Sequence, residues 1–337
     1  MRFIKTRDLT PGMMVGRAVV SRDGIPLLGK DACLTKTQIN KLLNWGVQFL
    51  CINDGVDAKE DFMEKYEEVV ESVKRIFENV RQSRPIPIRE IHELTDQMIG
   101  PLINVTGVLD YLYEVRLHSD YTFEHSVHVA VITGVFGSWL NYRGDEYKNL
   151  IMAGLLHDIG KLGIPLSILD KPGKLLDSEF TTIKKHSEEG YNLFKNSGEI
   201  SQGTKMGVLQ HHERIDGSGY PFGVKGSEIH EYAKIVAIAD MYDAMTSDRA
   251  YRPKLTPFAA MELIEEEMHK KMDVSIYLPI LSNMRDYFIG TDVLLSNGQK
   301  ATIIAISSEA WMTPMVRTHD GIFLDLRTEN ISVVDVI

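Results

Sequence analysis

Two short stretches carry residue types suited to metal and phosphate chemistry. Residues 157–161 read His-Asp-Ile-Gly-Lys, and residues 211–221 read His-His-Glu-Arg-Ile-Asp-Gly-Ser-Gly-Tyr-Pro. Imidazoles are borderline nitrogen donors and carboxylates are hard oxygen donors, the types that first-row transition metals prefer, and neither stretch holds a soft ligand. In chain order the candidate ligands are His125, His157, Asp158, His186, His211, His212 and Asp240. This set exceeds the needs of one ion. It suffices for two divalent ions with waters completing their shells, and Asp158 is the natural bridge because each of its oxygens can hold one ion. Two such ions, roughly 3.5 to 4 Å apart, activate a shared hydroxide and steady the attacking and leaving oxygens of a phosphoryl displacement. The pattern points to phosphoester hydrolysis.

Lys161 follows Asp158 by three positions and His157 by four, so on a helix it projects toward the same face. There its ammonium can bind a phosphate oxygen, stabilise developing charge or protonate the departing oxygen. Alone it would read as a surface lysine; its place beside the His-Asp pair reverses that. Gly217 and Gly219, with Tyr220 and Pro221, describe a tight loop beyond the paired histidines, where the main chain can approach a ligand and Tyr220 can stack or hydrogen-bond. The same residues would also serve as a plain turn. Arg249 and Arg252 suit phosphate oxygens and guanine edges, and pairing with Asp243 and Asp248 is an equally good structural use. His128, three residues after His125, could support a ligand from behind or contact an anion, but a helix-surface position is the expectation; Glu213 either orients a ligand imidazole or caps locally.

The elements that must position these groups are mostly helical. From about 91 to 289 the chain shows long apolar-periodic segments, and every candidate ligand falls within them. Before them, residues 1–58 have a strand-and-turn texture with a helix near 37–45, and residues 59–90 form a linker: a charged helix, then the Arg84-Pro85-Ile86-Pro87 break. Phe62, Tyr66, Val69, Val73, Ile76 and Val80 recur at alternating spacings of four and three along that helix. This stripe serves either core packing or a dimerising, signal-transmitting seam. Residues 290–337 read as five strands near 293–295, 301–306, 315–317, 322–326 and 331–336. The fold class is mainly α, a helical centre flanked by small β-rich segments. Each of these is small for an independent core, so they are expected to join into one subdomain.

Composition is that of ordinary globular protein, with 337 residues, 44% hydrophobic and 25% charged. A net charge of -10 disfavours long nucleic acid as a partner. No apolar run is long enough to span a membrane or to serve as a signal peptide, so a cytoplasmic location and no membrane partner are expected. Cys33 and Cys51 are expected as free thiols.

Taken together, His157-Asp158 with Lys161, the isolated His186, His211-His212-Glu213, the 216–221 loop and the Asp240 to Arg252 stretch resemble the HD-GYP family, HD-domain phosphohydrolases that degrade cyclic di-GMP. The resemblance covers roughly 118–255. It implies an all-helical HD-type domain, iron or manganese at the seven ligands (nickel or zinc in a purified sample), Lys161 facing phosphate, and substrate contacts from Arg249, Arg252 and the loop of Gly217, Gly219 and Tyr220. Some members hold a third metal through a glutamate four residues before the first histidine; here that position is Tyr121, so two metals are expected. The implied activity is hydrolysis of cyclic di-GMP to pGpG or GMP, with 3′,3′-cyclic GMP-AMP as the alternative substrate and a non-catalytic dinucleotide sensor as the alternative class. The segment around Leu9-Thr10-Pro11-Gly12-Met13 looks like an extension often found on such proteins; a homodimer is expected from the heptad-like stripe of the 59–82 helix together with this regulatory layout, and signalling partners from the layout.

Overall fold

The structure, a computed structural model, describes residues 2–16, 18–20, 26–47, 49–53, 58–82, 85–105, 107–115, 121–169, 171, 173–248, 254–268, 271–307 and 310–337. In the first region strands β1 (Arg2–Lys5), β2 (Met14–Val15), β3 (Val19–Val20), β4 (Pro26–Leu28) and β5 (Phe49–Asn53) surround helix α1 (Lys36–Asn44). β5 lies between β1 and β2 in an antiparallel sheet, while β3 and β4 pair separately. α1 starts at a Thr-x-x-Gln capping box, in which Thr35 and Gln38 satisfy each other's backbone amides. Leu9, Val15, Leu34, Ile39, Leu42, Leu50 and Ile52 bury one another here as a small core.

The helical centre begins with α2 (Ala58–Arg81) and the short α3 (Ile88–Glu93), α4 (Gly100–Ile103) and α5 (Val108–Glu114). It continues through α6 (Tyr121–Trp139), α7 (Gly144–Leu156), α8 (Leu166–Leu169), α9 (Asp177–Lys184) and α10 (His186–Phe194). α11 (Gln202–Gln210), α12 (Glu231–Thr246), α13 (Pro257–Met268) and α14 (Val274–Phe288) complete it. α6 is the hub, packed against α2, α4, α7, α12 and α14. Its interior position follows from its sequence: Val127, Val129, Ala130, Val131, Ile132, Val135 and Phe136 are apolar all round the helix, and all are buried. The α2 stripe resolves toward core packing, because Phe62, Tyr66, Val69, Val73 and Ile76 are buried in the same core as α6 and α12.

The last region forms an antiparallel sheet in the order β10-β6-β7-β8-β9, from β6 (Asp292–Leu295), β7 (Lys300–Ser307), β8 (Ala310–Thr318), β9 (Phe323–Asp325) and β10 (Val333–Val336). The expected union of the two β regions is corrected here: among the described residues they form separate sheets with separate cores. Val293, Leu295, Ala301, Ile303, Trp311 and Val316 of the second sheet belong to the core of the helices. Trp311 is 1% exposed, and its indole N–H donates to Glu265 of α13 at 2.7 Å. Each β region thus finds its own apolar partner, α1 for the first and the α13–α14 layer for the second. Cys33 is exposed and Cys51 buried, both free thiols.

Candidate metal centre

Three of the candidate ligands sit at helix ends, while His125 and Asp240 lie within α6 and α12. His157 caps the C-terminus of α7, His186 is the first residue of α10 just after α9, and His211 caps α11. A helix end leaves carbonyls without intrahelical partners. The imidazoles use them: His157 Nδ1–H donates to Gly154 at 2.8 Å, His186 to Ile183 at 2.7 Å, and His211 to Val208 at 2.8 Å. Each bond fixes the tautomer, so each Nε2 presents a lone pair inward.

Those lone pairs converge on Asp158. His157 Nε2 lies 3.3 Å from Asp158 Oδ2, and His186 Nε2 lies 3.3 Å from Oδ1 and 3.1 Å from His211 Nε2. His212 joins the group of Asp158, His186 and His211, while His125 and His157 form a second group on the same carboxylate. His125 Nε2 lies 3.5 Å from Asp158 Oδ2 and 3.2 Å from Asp240 Oδ1. Acceptor lone pairs facing carboxylate oxygens repel unless a cation lies among them, and His157 Nε2 and Asp158 Oδ1 are buried without a hydrogen-bond partner. The donor set is nitrogen and oxygen only, which fits divalent transition metals.

Electrostatics agree. Burial opposes charge on Asp158, yet Lys161 and His157 hold its carboxyl well below the ordinary range. Burial also opposes charge on His125, but Asp240 and Asp243 raise it to about 9, so the locus draws positive charge. Burial, reinforced by neighbouring His212, keeps His211 neutral and ligand-competent, and burial does the same for His212. Lys161 sits in the 3-10 turn Ile159–Gly163 rather than on a regular helix, and it donates to Asp158 Oδ2. Its side chain is 25% exposed and that of Asp240 18%, against 0% for His157 and His186, so the cluster opens on their side.

The Gly-Tyr-Pro loop folds over His212. The Tyr220 ring stacks on His212 with centroids 4.5 Å apart, and the Lys184 ammonium lies 5.2 Å from the Tyr220 centroid. A β-carbon at Gly219 would meet the His212 carbonyl oxygen at 2.4 Å, so only glycine permits this approach; Gly217 adopts φ 81°. Glu213 acts as a local cap: its Oε1 accepts from the amides of Phe222 at 2.8 Å and Gly223 at 3.2 Å. Arg249 and Arg252 lie outside the described residues.

The sequence reading missed a carboxylate. Asp243 is 2% exposed, accepts from His125 Nδ1 at 2.6 Å through Oδ2, and through Oδ1 accepts from His128 Nδ1 at 2.8 Å and the Ser247 hydroxyl at 2.9 Å. It orients His125 as an outer partner orients a ligand imidazole. His128, expected on a surface, is 1% exposed and part of this network. The signal was present: 125/128 and 240/243 are both three-residue spacings on apolar helices, placing two polar groups on one face.

Residues 114–276 match the family described as HD domain. The chain is 30% identical to a cyclic di-GMP phosphodiesterase of Pseudomonas aeruginosa over 246 residues, 73% of this chain and 59% of that one. It is also 30% identical to the 3′3′-cGAMP-specific phosphodiesterase 3 of Vibrio cholerae over 261 residues, 74% of this chain and 55% of that one. The chain thus spans little more than half the length of these curated relatives. An HDG"Y"P protein from Bdellovibrio bacteriovorus shares the fold at a TM-score of 0.56 and 16% identity, over 84% of this chain and 98% of that one.

Proposed function

Since the chain belongs to the HD-GYP family of HD-domain proteins, we propose that it is a phosphodiesterase that hydrolyses cyclic di-GMP to pGpG or GMP. The observation that carries this reading is the single carboxylate of Asp158 shared by two groups of inward-facing imidazoles, with Lys161 upon it. His125, His157, Asp158, His186, His211, His212 and Asp240 would hold two divalent ions, iron or manganese as the family resemblance implies; the nitrogen and oxygen donors equally suit nickel or zinc. When bound, such ions supply the charge that activates water and neutralises phosphate oxygens.

The chain's own residues do the rest. In the hydrolysis, water adds to phosphorus and the bond to a ribose oxygen breaks, leaving that oxygen in need of a proton. Lys161, on the open side of the cluster, binds a phosphate oxygen or supplies that proton. Asp243 holds the His125 ring so that Nε2 faces inward, and the Tyr220 loop walls the mouth. Arg249 and Arg252 are the proposed contacts to phosphate or guanine. A cytoplasmic location fits this substrate; no helix among the described residues is long and apolar enough to cross a membrane. Residues 1–58 are the proposed regulatory region, and a homodimer and protein signalling partners now rest on that layout alone.

The relative named for 3′3′-cGAMP, as similar as the one named for cyclic di-GMP, favours a second substrate reading. Time-resolved product analysis with both dinucleotides, on protein purified without oxygen and supplied with manganese or ferrous iron, tests both. Turnover that vanishes in Asp158→Ala supports the enzyme and names the substrate. Tight dinucleotide binding without turnover at full metal occupancy would make the protein a sensor.

A further inference from the structure

We propose that Tyr66 is a positioning residue for His125, through which helix α2 is tied to the metal centre; this rests on the reading of the site given above. Tyr66 is 3% exposed on α2, and its hydroxyl lies 2.8 Å from His128 Nε2 on α6. From there the contacts run through His128 Nδ1 to Asp243 Oδ1 at 2.8 Å, and from Asp243 Oδ2 to His125 Nδ1 at 2.6 Å. Three helices that are distant in sequence thus meet in one buried chain of hydrogen bonds.

The chain has a single consistent direction. An ionised carboxylate only accepts, so both imidazoles donate to Asp243 from Nδ1. His128 Nε2 is then a lone pair, and the Tyr66 hydroxyl donates into it. Burial raises the phenol above its ordinary range, so it keeps the proton it donates. A carboxylate is planar and rigid, so both oxygens turn together. Removing the Tyr66 hydroxyl leaves His128 Nε2 a buried acceptor without its donor and frees the ring to turn. The loosened grip at Oδ1 is transmitted to Oδ2, and so to the aim of His125. α2 also packs against the turn that carries Lys161, which gives the same helix contact with both sides of the site.

The Tyr66 ring is stacked with Phe62 at 6.0 Å and tilted on His128 at 5.5 Å, so phenylalanine preserves the packing while removing the donor. The full chain, stripped by chelation, is titrated with Mn(II) alone, with the free ion followed by electron paramagnetic resonance and the fold by thermal melting. Tyr66→Phe is expected to weaken Mn(II) binding about 3- to 10-fold, less than the roughly 10- to 100-fold expected of Asp243→Asn, which removes the direct partner. Val73→Ala, a buried α2 change away from the chain, lowers the melting temperature and leaves the affinity as it was. In a His128→Asn background, Tyr66→Phe has no further effect on affinity.

Unchanged affinity in Tyr66→Phe, with Asp243→Asn weakened, overturns the proposal alone. Full additivity of Tyr66→Phe with His128→Asn overturns it as well, because the two would then act separately. If the unsubstituted chain binds no Mn(II), the reading of the site falls, and the role of Tyr66 with it.

Discussion

Gly160 sits so close to His186 that a β-carbon on it would fall 1.9 Å from the His186 carbonyl oxygen. The turn bearing Lys161 is therefore seated directly on the backbone of α10, and this seating brings Asp158 to His186. Gly160→Ala has to lift the turn away. Overpacking of this kind costs about 1 to 3 kcal/mol. The expected outcome is a lowered melting temperature together with loss of tightly bound metal, read by thermal melting and elemental analysis. A variant with normal melting and metal content would show that the turn and α10 do not have to touch.

Lys161→Met separates holding the metal from driving the reaction. The imidazoles and carboxylates remain, so metal content should persist, while kcat should fall by roughly 10²- to 10⁴-fold, the range for a lost general acid. Quench-flow product analysis with metal-loaded protein gives the answer. Loss of the metal along with the rate would place Lys161 as a support for Asp158 instead.

Metal removal should weaken the fold. An ion held by the native cluster and not by the unfolded chain stabilises by about 2.7 kcal/mol at a concentration 100 times its dissociation constant. A chelator should lower the melting temperature, and added Mn(II) should restore it. In Asp158→Ala neither treatment should move the transition, and a shift of wild-type size there would mean that the ion binds elsewhere.

Away from the site, Asp273 caps α14 and pins it to α12. Its carboxylate accepts from the Ser275 amide at 3.1 Å and pairs with Lys234 at 2.8 Å. The pairing with Lys234 and the bond from Ser275 lower its pKa. A carboxyl whose folded pKa is depressed contributes stability above the unfolded value, roughly 3.9, and loses it as pH falls through the folded value. Asp273→Ala should therefore cost about 0.5 to 2 kcal/mol at neutral pH. In denaturant titrations that gap should narrow below about pH 4; a gap independent of pH would mean the carboxylate charge is not what matters.

Much of this was legible in the sequence for identifiable reasons. The strands at 292–295, 300–307, 310–318, 323–325 and 333–336 match the expected positions because β-branched runs and polar turns alternate there without helical competition. The clustering of the candidate ligands was legible in part because an imidazole and a carboxylate stand side by side at 157–158 and two imidazoles at 211–212. What stayed hidden depends on which helices meet. Asp243 looks like a salt-bridge partner of nearby arginines until α6 is laid beside α12. Tyr66 looks like any core aromatic, because its partner His128 lies 62 residues away. The separation of the two β regions was equally hidden, since burial partners are set by the packing of α13 and α14 and not by strand texture.

The Pro85–Pro87 break has an evolutionary corollary. It falls between α2 and α3, yet both helices contribute to one core, with Phe62, Val69, Val73 and Ile91 all at or near zero exposure. A gene fusion joined at that break would strip the helical centre of an apolar wall. A junction that keeps this wall has to lie before α2, so α2 is expected to be inherited together with the helices it covers.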